Sequence, residues 1–450
     1  MIDRLVVLGA AGDLATRHLL PAIAHLGKQR DLPAGFRVLG VDREPLTACT
    51  YRDRIAASLA EHAAGVDPAE RRDVVQRLDY LQADLQQGPD LRAALGTRPV
   101  IAYLALPPSA YALAVRALRA GGLAPGSRVV VEKPFGEDLA SARELSGLLH
   151  SLCHEPDVFR VDHFLHHQAV QDLLALRVTS PVFEPLWSSE HIERVEITWE
   201  ETTGVAGRAG YYDRVGALRD MVQGHLLQLV ALVAMEAPAA LDERSLRDAK
   251  VAALRRVPTF TTDEVATASA RGRYTAGVQG DFRRGYLDEP GVDPSRSTET
   301  HACLRLMLDG RRWAGVPFVL RTGKSLGRPC RRISLHFRPP AGGSLSAVPT
   351  VLSIDMAPDR VRLDVGGAGA AGLPEVAPVR LEASRPRQQM PASARLLRDV
   401  LAGDPTFAVR DDEAEECWRI VDSVLVGWRA GVPPLQEYPA GSAGPDLPVG

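Results

Sequence analysis

Leu5-Val6-Val7-Leu8 is apolar at every position, the pattern of a short strand buried on both faces of a parallel sheet. It runs into Gly9-Ala10-Ala11-Gly12-Asp13-Leu14-Ala15, a turn of small residues. Leu19, Leu20, Ile23 and Leu26 then recur at helical spacing, and residues 36–41 read as a second strand. Strand, glycine turn, helix and strand make a βαβ unit. The alternation continues with an apolar run at 100–106 before Pro107-Pro108 and a helical stretch at 111–120. Val129-Val130-Val131 follows, ending in Glu132-Lys133-Pro134. This order predicts an α/β, Rossmann-like dinucleotide-binding domain over residues 1–160.

The rest of the chain has a different rhythm. Residues 193–200 alternate apolar and polar, as a strand with one wet face does. A long apolar helix is expected over 213–235, and further strands over 313–321, 332–337 and 350–356. Strands in series predict a C-terminal α+β domain, residues 161–450, with a large, mostly antiparallel sheet. The glycine-rich run 366–372 reads as a flexible loop. A chain of 450 residues is long enough for two such domains.

Charge alters this picture little. Lys plus Arg total 53 and Asp plus Glu 56, so no broad field exists to hold nucleic acid or an anionic membrane, and an anionic ligand needs a local basic pocket. The five cysteines, Cys49, Cys153, Cys303, Cys330 and Cys417, lack zinc spacing and suggest reduced thiols. The chain opens directly on a strand rather than a leader, and no apolar run reaches transmembrane length; a cytoplasmic address is the expectation.

Six segments carry candidate chemistry. The first turn is spaced G-x-x-G-x-x-A, and its small residues let backbone N–H groups approach a pyrophosphate at a helix start. At the end of the second strand Asp42 suits the free 2′-hydroxyl of NAD, while Arg43 suits the 2′-phosphate of NADP, so both remain open. Lys133 stands at the carboxyl end of a parallel strand, where an ammonium would orient a substrate hydroxyl; a plain surface lysine is the competing reading. Arg160-Val161-Asp162-His163-Phe164-Leu165-His166-His167 concentrates imidazole without the Glu or Cys spacing of a metal site, so no metal is expected. His225 shares a helical stripe with Met221, Val222 and Leu229, as a core histidine would, unless a carboxylate such as Asp162 orients it as a base. Lys324 and Arg328 sit four apart in a glycine-containing turn fit either for phosphate or for solvent.

Read together, these segments resemble the glucose-6-phosphate 1-dehydrogenase family. The likeness runs through GAAGDLA, ALPPSAY, VEKPFG, RVDHFL, GRAGYYD, RDMVQGHLLQLVALVAMEAP, EPGVDPSRSTET, RWAGVPFVLRTGKSL and YPAGS. It implies oxidation of a sugar phosphate at C1 to a lactone, in glucose metabolism and the pentose phosphate pathway, by a homodimer or homotetramer using NADP or NAD. By the same resemblance Gly9, Gly12, Asp13, Leu14, Ala15, Asp42, Arg43, Pro107 and Lys133 would hold the coenzyme. His225, Asp162 and Lys133 would be catalytic, and the Lys133–Pro134 bond cis. Lys133, His163, His167, Asp220, Lys324 and Arg328 would bind the sugar phosphate. Several positions depart from the pattern. Phe164 replaces a phosphate-binding tyrosine, His167 and His18 replace lysines, Ala206 a glutamate and Ala357 a glutamine. The reacting groups are kept while the substrate's surroundings change. Two rival readings are a dehydrogenase of another sugar or cyclitol carbon and a non-catalytic sugar-phosphate-binding homologue.

Overall fold

The computed structural model describes residues 2–205, 207–279, 281–340, 348–370, 373, 375–384 and 390–448. The chain divides into two compact units: Met1–His166 with Leu241–Arg247 and Gln388–Glu415, and His167–Ala240 with Asp248–Arg387 and Glu416–Gly450. Two segments of the first unit therefore come from beyond the 1–160 span assigned to the coenzyme domain.

The first unit holds a six-stranded sheet of β1 (Arg4–Leu8), β2 (Arg37–Asp42), β3 (Leu78–Gln82), β4 (Ile101–Leu104), β5 (Arg128–Glu132) and β6 (Val158–Val161). Every pairing is parallel and the order is β3-β2-β1-β4-β5-β6. This is the doubly wound arrangement, in which the strand order reverses between β1 and β4 and leaves a crevice at the strand ends. The apolar runs read from the sequence are these strands: Val6, Val7, Ile101, Val130 and Val131 are all fully buried.

The second unit is organised on nine strands: β7 (Ile192–Glu200), β8 (Ser269–Thr275), β11 (His301–Leu306), β12 (Phe318–Gly323), β13 (Cys330–Phe337), β14 (Val351–Met356), β15 (Asp359–Ala368), β16 (Val376–Ser384) and β17 (Gln436–Pro439), with a separate hairpin of β9 (Gly277–Gln279) and β10 (Asp281–Arg283). Their order is β16-β15-β14-β13-β7-β12-β11-β8-β17, antiparallel except at β7–β12 and β8–β17. The alternation in β7 is realised, with Ile192, Val195, Ile197 and Trp199 buried on one face.

Three expectations change. The strand expected at 313–321 begins at Phe318, because 311–313 form a 3-10 turn and Pro317 has no N–H to give a ladder. In place of the loop expected at the glycine run, Gly366, Gly367 and Ala368 continue β15, paired with Pro378, Ala377 and Val376. Here close packing outweighs low strand propensity: a Cβ on Gly367 would lie 2.5 Å from the Val379 side chain. Ala371 and Gly372 lie outside the described residues.

The expected long helix is three segments: Ala209–Ala217, a wide π-helical stretch Leu218–Leu226, and Leu227–Ala234. The first break is at Gly216, with φ +72°, where a Cβ would lie 2.4 Å from Glu299 Oε1. That carboxylate accepts the Leu218 N–H at 2.9 Å, and the Glu299 carbonyl accepts the Ala217 N–H at 3.1 Å, so a distant acid serves the orphan donors of the new helix start. The far end is closed as tightly. All eight residues of Leu227–Ala234 are buried, and the carbonyls of Leu232, Val233 and Ala234 accept from Arg177, Trp187 and Trp313 at 2.8–2.9 Å.

Glu299→Ala leaves the Leu218 N–H without a partner and is expected to cost about 1–3 kcal/mol in chemical denaturation. Glu299→Gln keeps a carbonyl acceptor and is expected to retain most of that stability; equal losses for the two would remove the hydrogen bond from the account.

Candidate active site

At the ends of β1, β2 and β4 the glycine turn is pinned back onto the sheet. Gly9 and Ala10 both donate to the Val41 carbonyl, at 2.9 and 3.3 Å, and Gly12 donates to the Gly9 carbonyl at 3.2 Å. Gly9 has φ +86°, and a Cβ there would lie 2.3 Å from the Ala105 carbonyl oxygen, so only glycine fits. The consequence is a cleft of ≈ 930 Å³ at the switch point, to which Gly9, Gly12, Asp42, Arg43 and Pro107 contribute. Asp13, Leu14 and Ala15 are not on its wall. They lead into the helix, with Asp13 paired to Arg17 at 3.4 Å and Ala15 fully buried.

The two residues that pulled coenzyme choice in opposite directions sit differently. Asp42 accepts the Ala11 N–H at 3.0 Å and the Glu44 N–H at 3.2 Å. Arg43 is exposed on the cleft and has no ion pair or hydrogen bond among the described residues.

Further along the same sheet, Lys133 follows β5, and its bond to Pro134 is cis. The neighbouring Glu132 is a junction that the sequence did not announce. Its carboxylate accepts from the Tyr103 hydroxyl and lies 3.3 Å from His163 Nε2, while its carbonyl accepts from Tyr111 at 2.7 Å. Burial pulls the His163 imidazole down, but the Glu132 carboxylate outweighs it, so the pKa lies above the ordinary histidine value. His18 moves the other way, lowered by burial and then by the cation at His163. Asp162 is buried and accepts the Phe164 N–H at 2.9 Å. The histidine run disperses rather than converging: His163 meets Glu132, and His166 lies 3.2 Å from Asp399.

In the second unit, His167 precedes the helix Gln168–Val178 with its ring edge-on to Trp199. Asp220 and His225 both lie in Leu218–Leu226, where His225 is 6% exposed and Asp220 more open. Asp220 and Lys324 both act on Tyr212. Burial and then the Asp220 charge push its hydroxyl well above the usual tyrosine range, and the Lys324 ammonium sits 5.9 Å from its ring centre. Lys324 also forms an ion pair with Glu201. That acid went unnoticed in the sequence because only the parallel register of β7 on β12, with Glu200 opposite Gly323, makes 201 and 324 neighbours. Arg328 is exposed and has no ion pair among the described residues. Ala357 lies in the turn between β14 and β15, and Ala206 falls outside the described residues.

Residues 6–172 match the family model "Glucose-6-phosphate dehydrogenase, NAD binding domain", and residues 174–448 match its C-terminal domain. The chain belongs to the glucose-6-phosphate dehydrogenase family. Among its relatives are glucose-6-phosphate 1-dehydrogenases of Treponema pallidum, 37% identical over 98% of this chain and 92% of that one, and of Gluconobacter oxydans, 38% identical over 98% and 94%. Two solved structures are similar throughout. One is a glucose-6-phosphate dehydrogenase in complex with its substrate glucose-6-phosphate (TM-score 0.90, 29% identity, 99% and 96% covered). The other is glucose-6-phosphate 1-dehydrogenase from Mycobacterium avium (TM-score 0.87, 33% identity, 99% and 95% covered). The Rossmann-like domain and the large, mostly antiparallel sheet read from this chain's sequence are those of the glucose-6-phosphate dehydrogenase family.

Glu132→Gln removes the charge that raises His163, and the imidazole pKa, followed by NMR, is expected to fall. The raised value stabilises the fold below the unfolded histidine pKa, and the contribution is lost as pH rises through the folded one. The variant should therefore lose stability at acid pH and little above neutrality. An unchanged His163 titration would refute this coupling.

Proposed function

We propose that this member of the glucose-6-phosphate dehydrogenase family oxidises C1 of glucose 6-phosphate, or of an altered sugar phosphate, with transfer of a hydride to NAD(P)+ and formation of the lactone. The observation that carries this is the match of both family domains over nearly the whole chain, with relatives named for that reaction. Neither rival reading gains support from the fold or the relatives.

The cleft walled by Gly9, Gly12 and Pro107 has the size and place in the sheet for a dinucleotide, and the two glycines bring no side chain to it. When bound, the nicotinamide accepts the hydride. The chain's own contribution is proton transfer and orientation. His225 takes the proton from the C1 hydroxyl, with Asp162 as its carboxylate partner. Lys133 orients sugar and coenzyme, Asp220 and Lys324 hold sugar hydroxyls, and His163 meets the phosphate. His167 and Arg328 are proposed to add cationic character on the phosphate side.

The coenzyme is proposed to be NADP. Two backbone amides already occupy the Asp42 carboxylate, whereas the Arg43 guanidinium is uncommitted and offers a fork matched to a 2′-phosphate. The sugar is where this chain departs. Phe164 at the position of a tyrosine and His167 at that of a lysine remove or weaken two phosphate donors, each worth about 1.5–3 kcal/mol as a charge-assisted bond. We therefore propose that its best substrate differs from glucose 6-phosphate. No helix among the described residues is long and apolar enough to cross a membrane. A cytoplasmic homodimer or homotetramer is the proposed working form.

Turnover is checked by following reduced nicotinamide over a panel of hexose 6-phosphates and free hexoses with either coenzyme. His225→Ala is expected to lower kcat about 100- to 10,000-fold. Arg43→Ala is expected to raise KM for NADP and leave NAD kinetics nearly unchanged. Equal turnover in His225→Ala would end its assignment as base. Family-like efficiency on glucose 6-phosphate would end the altered-substrate proposal.

A further inference from the structure

We propose that the second unit carries a separate anion site for a phosphate-bearing small molecule, in a cleft at the start of the helical segment that holds His225. The cleft has a volume of ≈ 530 Å³ and presents five guanidinium groups, Arg214, Arg219, Arg271, Arg296 and Arg429, against two carboxylates, Asp213 and Glu299. None of these residues is among those assigned to coenzyme or sugar.

The acids are already committed. Asp213 accepts from the Tyr286 hydroxyl at 2.8 Å, the Asp293 N–H at 3.1 Å and Arg296 at 3.3 Å. Glu299 accepts from the Leu218 N–H; burial raises its carboxyl above the ordinary range while Arg219 and Arg271 pull it the other way, so at most two acids face the five cations.

The remaining cations are not neutralised by ion pairs. Arg271 is only 6% exposed. Its Nε donates to the Pro433 carbonyl at 2.9 Å and its guanidinium lies 5.5 Å from the centre of the Trp428 ring, but its two terminal amino groups make no hydrogen bond among the described residues. Among the described residues, Arg219 has a buried Nε–H with no acceptor and reaches only the Arg214 and Val215 carbonyls, at 3.5 Å. Arg214 and Arg429 are exposed and make no ion pair among the described residues.

A guanidinium held out of water without a counter-ion is costly unless an anion completes it. Planar forked donors select carboxylate or phosphate oxygens, and several forks converging on one cleft suit a polyvalent phosphate better than a single carboxylate. The volume falls within the range of small-molecule sites, so the occupant is a phosphorylated metabolite rather than a lone ion.

Inorganic pyrophosphate is the probe, titrated calorimetrically into the full chain. The charge-reversed double variant Arg214→Glu, Arg429→Glu alters only exposed side chains, and its fold is checked by thermal unfolding. It is expected to weaken the tightest pyrophosphate site about tenfold or more. Arg43→Ala, in the coenzyme cleft, is expected to leave that site unchanged. No pyrophosphate binding at millimolar concentration, an affinity unmoved by the double reversal, or loss of the site in Arg43→Ala would each overturn the proposal. The readout is binding, so it stands or falls independently of the dehydrogenase reaction.

Discussion

The carboxylate of Glu299 on the Leu218 N–H sets where the central helical segment of the second unit begins. A helix start leaves backbone donors without partners. Here they are served from a strand-leading segment some eighty residues away, through a gap that only Gly216 leaves open. From that start the chain winds as a wide π-helical stretch, placing Asp220 on its more open side and burying His225. The same carboxylate faces Arg219 and Arg271, so one acid stands beside both the proposed base and the proposed anion site.

Other acids do similar work elsewhere. Glu132 gathers Tyr103 and His163 beside Lys133, and Glu201 holds Lys324 next to Tyr212. Charged groups at these positions are fixed by partners rather than left to solvent, and a group held this way needs little reorganisation to act on a ligand. The cleft proposed for the coenzyme works by the opposite device. There Gly9, Gly12 and Gly40 remove side chains: a Cβ on Gly40 would meet Ala10 at 2.8 Å and Tyr51 at 2.9 Å, lifting the turn from the sheet.

Local pattern carried much of this into view. The apolar runs of β1, β2, β4 and β5 and the helix Tyr111–Ala120 were legible because a doubly buried parallel strand and an amphipathic helix each leave a periodic trace. The glycine turn was legible for the same reason, with its strand before and helix after. Neither Glu201 nor Glu299 left a trace, since their partners are 123 and 81 residues away and meet them only through sheet register and a helix break. The continuation of β15 through Gly366 and Gly367 was hidden too, because packing against Val379 is a tertiary fact that composition contradicts. Asp42 and Arg43 were visible as residues but not as a decision. The amides of Ala11 and Glu44, which occupy the carboxylate, come from folding.

The measurement that bears most directly on the catalytic account is the fate of isotope at C1. Sugar phosphate deuterated at that carbon is oxidised by the full-length protein, and both products are read by NMR. The account predicts deuterium at C4 of the reduced nicotinamide and a lactone on the sugar side. Deuterium retained on the sugar, or a ketone in place of the lactone, would contradict it.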